Sequence, residues 1–314
     1  MTRWRGIATF LWEMCPPHLL LPVGAARFCA VYLGLQALAG LEPLVLGLRA
    51  VTGTASLIGF VVLARVYDEL KDADADRRLA ASGDPRTADR PIVRGIVDES
   101  DLRLLRNVLI GALVALQLPG AAPLPLFGFA VALTVFWLSS HWFFWPAVQR
   151  HLLLALVTTS PLTLFVLAYV ATLFAADFGV EHLDGSAALL LVGLYAPMLA
   201  WETSRKIRTP ADETDYETYT RAVGPRAALA LPITFTLLAT GMLATVAARA
   251  GLPPPYFWAL GGACTLVVGA CLAFVIAPSR RRAHLEPVTQ GFLVVADLGL
   301  ALGLASTFPL TWAG

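Results

Sequence analysis

Runs of about twenty apolar residues recur from one end of the 314-residue sequence to the other, which is the helix length needed to cross a bilayer's hydrocarbon core. Only 14% of the residues are charged and the mean hydropathy is +0.69. Soluble domains carry about 25% charged residues, so a soluble chain with this composition would have too few charges to cover its surface. The sequence therefore predicts an integral membrane protein built from helices.

Nine runs are long enough to cross a membrane, which predicts an all-α, polytopic transmembrane bundle that forms a single domain over residues 1–314. The predicted spans are residues 18–40, 45–67, 101–118, 123–141, 151–175, 186–204, 226–249, 255–277 and 287–308. Residues 1–17 carry Arg3 and Arg5 beside aromatic residues, as is typical of a segment that lies at the membrane surface. Three prolines inside spans are expected to kink their helices rather than end them: Pro161, Pro197 and Pro232.

Basic residues are concentrated in alternate connections between the spans. These connections are residues 68–100, 142–150, 205–225 and 278–286, whereas the others contain little positive charge beyond Arg49 and Arg249. Because Lys and Arg favour the cytoplasmic side, we expect a cytoplasmic N-terminus, an external C-terminus and two long polar segments on the cytoplasmic face. The formal net charge of +1 provides no overall basic surface, which argues against nucleic acid as a partner.

The first polar segment begins where the second span ends. Asp68, Asp72 and Asp76 are spaced four residues apart, so they share one face if the helix continues. Like charges at this spacing repel each other, and rows of carboxylate oxygens suit Mg²⁺. The alternative is a solvated helix end whose acids pair with neighbouring cations, namely Lys71, Arg77 and Arg78. A magnesium site is favoured because ionisable groups that continue an apolar span are costly and commonly functional.

Clustered cations accompany both polar segments. Arg90 and Arg94 flank a turn enforced by proline and glycine, and their guanidinium groups suit phosphate oxygens. The second segment, residues 202–217, mixes several acids with three cations: Arg205, Lys206 and Arg208. Its alternative interpretation is a charged juxtamembrane loop that binds lipid head groups.

Two ionisable residues lie inside predicted spans, Arg27 in the first and Asp297 in the ninth. Such groups face the interior of a bundle and pair with one another. We expect a structural ion pair between them rather than a metal site, because Asp297 is remote from the acidic segments along its helix.

These two acidic segments, after the second and sixth of nine spans, resemble the motifs of the UbiA superfamily of intramembrane prenyltransferases. The first motif of the family is Asn-Asp-x-x-Asp-x-x-x-Asp, and residues 68–76 are similar to it with Asp68 and Glu69 at the first two places. An Arg-Pro-x-x-x-Gly-x-Ile element is matched by residues 90–96. A further element after the second motif is matched by Thr218, Tyr219 and Gly224. The resemblance covers nearly the whole chain.

The second motif departs from the family pattern of two aspartates four residues apart. Asp212 matches the later aspartate, but Arg208 occupies the earlier place, and Glu202 is the nearest substitute along the helix. The resemblance implies that Asp68, Asp72 and Asp76 are catalytic carboxylates that bind Mg²⁺, with Glu202 or Asp212 as the remaining ligands. It also implies that cations hold a diphosphate, namely Lys71, Arg90, Arg205, Lys206 and Arg208.

As a member of this superfamily, the protein would ionise an isoprenyl diphosphate whose tail lies in the lipid bilayer, and would transfer the prenyl group to an acceptor, usually an aromatic ring. The alternative within the family is a terpene cyclase that converts farnesyl or geranylgeranyl diphosphate to a cyclic product. The sequence isolates no acceptor-binding residue, so both reactions stay open. A divalent-cation transporter is disfavoured, since the acids lie at the predicted membrane surface and not at its midplane.

Overall fold

The computed structural model describes residues 2–83, 85–213 and 218–313, with the backbone alone for Pro85, Arg86 and Pro210. The α-helices in these residues are α1 (Arg3–Met14), α2 (Pro17–Leu38), α3 (Leu48–Ala81), α4 (Pro85–Ala88), α5 (Glu99–Ala115), α6 (Pro123–Ser140), α7 (Pro146–Arg150), α8 (Leu152–Thr159), α9 (Leu162–Phe178), α10 (Gly185–Ser204), α11 (Tyr219–Val223), α12 (Pro225–Arg249), α13 (Pro254–Ile276), α14 (Arg280–Ala283) and α15 (Glu286–Thr307). Single 3₁₀ turns cover Leu118–Gly120, Trp142–Phe144, Val180–His182 and Pro210–Asp212. Two short strands are β1 (Leu44–Leu46) and β2 (Leu310–Trp312).

Within the described ranges, nine helical stretches are long and apolar enough to cross a membrane. They are α2, α3, α5, α6, α8 with α9, α10, α12, α13, and α14 with α15. The predicted all-α polytopic bundle is therefore confirmed, and the chain is an integral membrane protein. Helix α3 has 34 residues, about 50 Å at 1.5 Å per residue, so it is longer than the roughly 30 Å hydrocarbon core. Its last turns carry the first acidic segment beyond the apolar part.

The three prolines inside predicted spans differ in their effect. Pro197 and Pro232 lie within continuous helices, α10 and α12, as expected. At Pro161 the helix is interrupted between Thr159 of α8 and Leu162 of α9, but Ser160 and Pro161 keep helical angles, and α8 with α9 still form one spanning stretch. Proline has no N–H and its ring clashes with the preceding turn, so the hydrogen-bond ladder is interrupted there.

The helices alternate in direction, which gives the bundle two distinct ends. One end, here called the charged end, contains both acidic segments. At this end α10 is joined to α15 by a 2.7 Å hydrogen bond between the hydroxyls of Ser204 and Thr289. At the opposite end β1 and β2 form a parallel pair. The side-chain amide of Gln36 extends this pairing, since it donates to the carbonyl of Val45 and accepts from its N–H. This small sheet was not predicted, because three-residue strands have no recognisable sequence period.

Between the two ends the described core is mainly apolar, and it contains a buried ion pair. The Nε of Arg27 on α2 donates to the Oδ2 of Asp297 on α15 at 2.8 Å, and Asp297 is only 1% exposed. The predicted pairing of these two residues is confirmed. Separating the two helices would leave both charges buried and unpaired, which is strongly unfavourable. The ion pair therefore holds α2 against α15.

Candidate active site

The acidic face of α3 is the first element of the candidate site. The helix continues without a break to Ala81, so the expected helical arrangement of Asp68, Asp72 and Asp76 is present. At 3.6 residues per turn the three residues lie within an arc of about 80°. The three acids differ in exposure: the side chain of Asp68 is 51% exposed and that of Asp76 only 6% exposed. The face therefore has an open side and a buried side.

The buried side is a closed group of two arginines and two carboxylates, here called the arginine–carboxylate cluster (Arg65, Glu69, Asp76 and Arg90). Arg65 lies 2.5 Å from a carboxylate oxygen of Glu69, whose side chain is fully buried. Arg90 lies 2.5 Å from Asp76 and 3.5 Å from Glu69. Each carboxylate faces an arginine, so the negative charges of Glu69 and Asp76 are partly offset away from water.

The other side, here called the open side, consists of the half-exposed Asp68 and the partly buried Asp72, with Lys71 beside them. The ammonium of Lys71 lies 3.2 Å from Asp68 and 4.3 Å from the ring centroid of Trp142, which is a cation–π distance. Asp72 makes neither a hydrogen bond nor an ion pair with any residue that the structure describes. Its carboxylate is thus the one acid of the face that is available to a ligand without first losing a partner.

The turn that supplies Trp142 has an unusual backbone. Trp142, Phe143 and Phe144 all have left-handed φ angles, between 52° and 53°. Each such angle costs on the order of 1–3 kcal/mol for a residue with a side chain and persists only where neighbours hold it. The ring of His141 stacks on that of Phe144, and the ring of Trp137 meets Phe144 edge-on. The turn is therefore held in a strained shape at the charged end, with its first ring against Lys71.

The second acidic segment begins in the last turn of α10. The carboxylate of Glu202 lies 3.4 Å from Lys206 and 3.8 Å from Arg205. The guanidinium of Arg205 also lies 4.6 Å from the ring centroid of Trp201. Beyond the helix, Asp212 accepts a 2.6 Å hydrogen bond from the hydroxyl of Thr209. The predicted acids of this segment thus have partners a few positions away, and Asp212 also lies 3.7 Å from Arg280 of a different connection.

Arg208, which stands at the place of the missing aspartate, is buried and only 4% exposed. Its backbone N–H donates to the hydroxyl of Thr220 at 3.2 Å. Glu213 accepts 2.7 Å hydrogen bonds from the hydroxyls of Thr218 and Thr220. Residues 214–217 of this segment lie outside the described residues.

The structure groups the predicted residues within each segment. Asp76 meets Arg90, Asp68 meets Lys71, and Glu202 meets Lys206. In the parts of the chain that the structure describes, no three His, Cys, Asp or Glu side chains share a position suited to one metal ion. Asp68 and Asp72 nevertheless fit Mg²⁺, which commonly uses one or two carboxylates together with substrate phosphates.

Two residues of the cluster had no predicted role, Arg65 and Glu69. Their spacing of four residues on a helix is the pattern of a paired cation and acid, so a signal was present in the sequence. The part of the cluster that involves Arg90 had no such local signal, because Arg90 follows the helix and reaches back to it from a turn.

Comparison with solved structures identifies the architecture. The chain superimposes on the apo structure of a UbiA homolog from Aeropyrum pernix K1 with a TM-score of 0.61, covering 88% of this chain and 96% of that one. The chain has the UbiA fold. The two sequences are 17% identical, so the similarity establishes the fold, and the chemistry must come from the residues. No protein-family model matches the sequence, and no curated protein matches it.

Proposed function

We propose that the protein is a magnesium-dependent intramembrane prenyltransferase of the UbiA type, which ionises an isoprenyl diphosphate and transfers the prenyl group to an aromatic acceptor. One observation carries the proposal. In a chain with the UbiA fold, a membrane-spanning helix continues into a face on which Asp68 is half exposed and Asp72 has no partner among the described residues. Ionisable groups placed at the end of an apolar span are costly unless they bind something.

The proposed metal ligands are the carboxylates of the two segments. Asp72 is available as it stands, Asp68 would first give up its contact with Lys71, and Glu202 or Asp212 would contribute from the second segment. Asp76 completes the proposed set, since Arg90 can exchange its carboxylate for a phosphate oxygen. Bound Mg²⁺ would neutralise the charge that develops on the leaving diphosphate.

The cations of both segments are proposed to hold the diphosphate. Lys71 lies next to the open acids, and Arg90 is 27% exposed at the edge of the arginine–carboxylate cluster. Guanidinium groups bind phosphate oxygens through two parallel hydrogen bonds, which orients the substrate as well as attracting it. From the second segment the proposed contributors are Arg205, Lys206 and Arg208.

The apolar part of α3 directly precedes the acids. Leu63, Val66 and Tyr67 are buried, so the helix changes from apolar to acidic within one turn. A prenyl chain that continues from a diphosphate at Asp72 would therefore lie among apolar side chains. Such surroundings exclude water, which would otherwise capture the allylic cation formed when the C–O bond breaks.

Product analysis tests the proposal. Purified protein in lipid nanodiscs is incubated with Mg²⁺ and farnesyl or geranylgeranyl diphosphate, with and without a phenolic acceptor. The proposal predicts a prenylated phenol and pyrophosphate only when acceptor is present. A cyclic hydrocarbon or alcohol without acceptor would instead establish the terpene cyclase, the candidate favoured by the departure at Arg208. Cation flux across proteoliposomes without cleavage of any diphosphate would establish a transporter.

A further inference from the structure

The N-terminal helix α1 packs across the turn that follows the first acidic segment. Phe10 is fully buried and Ile7 is 5% exposed, and both belong to one apolar cluster with Ile92 and Val97 of the turn. The same cluster includes Val66 of α3. Helix α1 therefore presses residues 91–97 against the helix that carries the acids.

The closest approach between α1 and the turn is at Gly6. A Cβ atom at this position would lie 2.4 Å from the backbone carbonyl oxygen of Ile96, whereas real Cβ atoms stay at least 3.0 Å away. The obstructing atom belongs to the backbone, so no side-chain rotation can relieve the clash. Any residue other than glycine would separate the two backbones.

Two ion pairs fix the direction of α1 without holding it strongly. Glu13 lies 3.0 Å from Arg94 of the turn, and Arg3 lies 2.6 Å from Asp101 at the start of α5. Both arginines are almost half exposed, and exposed pairs contribute little to stability. The buried contacts of Gly6, Ile7 and Phe10 must therefore set the position of the turn.

The backbone hydrogen bonds of this turn begin at Arg90. The carbonyl of Arg90 accepts hydrogen bonds from the N–H groups of Val93 at 3.0 Å and Arg94 at 2.9 Å. Its guanidinium reaches Asp76 and Glu69 of α3. A displacement of the turn therefore moves the base of the Arg90 side chain relative to both carboxylates.

We infer that α1 is a positioning element for the active site, in which Gly6 sets the approach that holds Arg90 against Asp76 and Glu69. Gly6 touches neither a proposed ligand nor the acids, so it acts through the turn and is a positioning residue. The effect of Gly6 on the position of Arg90 is inferred from the observed contacts alone. Its effect on diphosphate binding rests on the proposed function.

The first test measures the position of Arg90 without any reaction of the enzyme. Purified wild-type protein and Gly6→Ala are treated with phenylglyoxal, which modifies accessible arginines, and the Arg90 peptide is quantified by mass spectrometry. We expect modification of Arg90 to be several-fold faster in Gly6→Ala because its carboxylate contacts are loosened. Gly111→Ala is the matched control, since a Cβ at Gly111 meets nothing within 4 Å. Equal Arg90 rates in Gly6→Ala and wild type would overturn the inference.

A weaker helix cannot explain the expected result, because alanine favours helix more than glycine does. If Gly6→Ala does not fold, Ile7→Ala replaces it, since this change removes buried contact with the turn without forcing the backbones apart. The same faster modification of Arg90 is expected for Ile7→Ala, and an unchanged rate would again overturn the inference.

The second test uses the proposed reaction. Gly6→Ala should raise KM for the isoprenyl diphosphate about tenfold with a smaller change in kcat, as expected when a contact group is displaced by part of an ångström. In an Arg90→Ala background the same substitution should add nothing, and an equal effect in both backgrounds would contradict action through Arg90. Should wild-type protein cleave no diphosphate, the proposed function fails, and the modification rates alone still decide the inference.

Discussion

The two acidic segments of the charged end are built differently. The first is a continuous helix whose buried side, Glu69 and Asp76, is held by arginines while Asp68 and Asp72 remain open. The second leaves its helix after Ser204, and its acids already face cations, with Glu202 between Arg205 and Lys206 and Asp212 near Arg280. In the proposed reaction, the first segment would therefore supply metal ligands at fixed positions, and the second would supply mainly positive charge for the diphosphate.

The largest effect is expected at the open side of α3. Asp72→Ala should lower turnover by more than about 100-fold, because it removes an anionic ligand whose role cannot be taken by water. The free energy of unfolding should change little, since Asp72 forms no ion pair or hydrogen bond with the described residues. Turnover is measured by product formation from geranylgeranyl diphosphate, and stability by thermal unfolding in detergent.

The matched control for Asp72 lies two residues along the same helix. The side chain of Asp74 is 88% exposed and pairs only with the partly exposed Arg77. Asp74→Ala removes the same charge from the same helix and should leave turnover within about twofold, as is usual for exposed pairs. Similar losses in Asp72→Ala and Asp74→Ala would mean that the acidic run acts through its total charge and not through defined ligands.

The second-largest effect is a loss of stability, and it is expected at the buried side of the same face. Glu69→Ala should lower the free energy of unfolding by about 2 kcal/mol, because Arg65 and Arg90 lose a buried partner. Glu69→Gln should lower it less, since the amide oxygen still accepts a hydrogen bond. Thermal unfolding of the three proteins in one detergent gives the comparison. A Glu69→Ala protein as stable as wild type would show that the arginine–carboxylate cluster does not stabilise the fold around α3.

A smaller effect is expected in the second segment. Asp212→Asn should lower kcat/KM about tenfold, which corresponds to roughly 1.4 kcal/mol of transition-state stabilisation. The loss is smaller than at Asp72 because Asp212 already accepts a hydrogen bond from Thr209 and the cations nearby remain. Steady-state kinetics with both diphosphates provides the measurement. A loss as large as that of Asp72→Ala would remove the distinction between the segments.

The smallest effect is expected at the aromatic contact of Lys71. Trp142→Leu removes a cation–π contact worth about 0.5–1 kcal/mol at a partly exposed site, so KM for the diphosphate should change by about two- to fivefold. A decrease in KM would mean that Trp142 keeps Lys71 away from the diphosphate. An increase in KM would mean that Trp142 holds Lys71 in a position to bind the diphosphate. An unchanged KM would show that Lys71 does not contact the diphosphate.

Most of the fold could be predicted from the sequence because the bilayer imposes it. Run length determines where each span begins and ends, and the spacing of Asp68, Asp72 and Asp76 indicates the continuation of α3. The Arg27–Asp297 pair was also predictable, since ionisable groups inside a membrane need partners. In each case the signal lies in the chemistry of one residue or one short run.

The remaining features depend on contacts between distant parts of the chain. Arg90 reaches Asp76 from a turn on which α1 packs, and no periodicity records the approach of Gly6 to Ile96. The pairing of β1 with β2 joins opposite ends of the sequence through three residues each. The left-handed turn at Trp142 contains no glycine, so its sequence carries no turn signal.

The central claim is that the open acids of α3 ionise an isoprenyl diphosphate. Release of pyrophosphate by the purified protein in lipid nanodiscs tests it most directly, with farnesyl and geranylgeranyl diphosphate, a phenolic acceptor, and either Mg²⁺ or a chelator. The account predicts release from wild type only with Mg²⁺, and almost none from Asp72→Ala. Equal release by wild type and Asp72→Ala, or no release by wild type from either diphosphate, would contradict it.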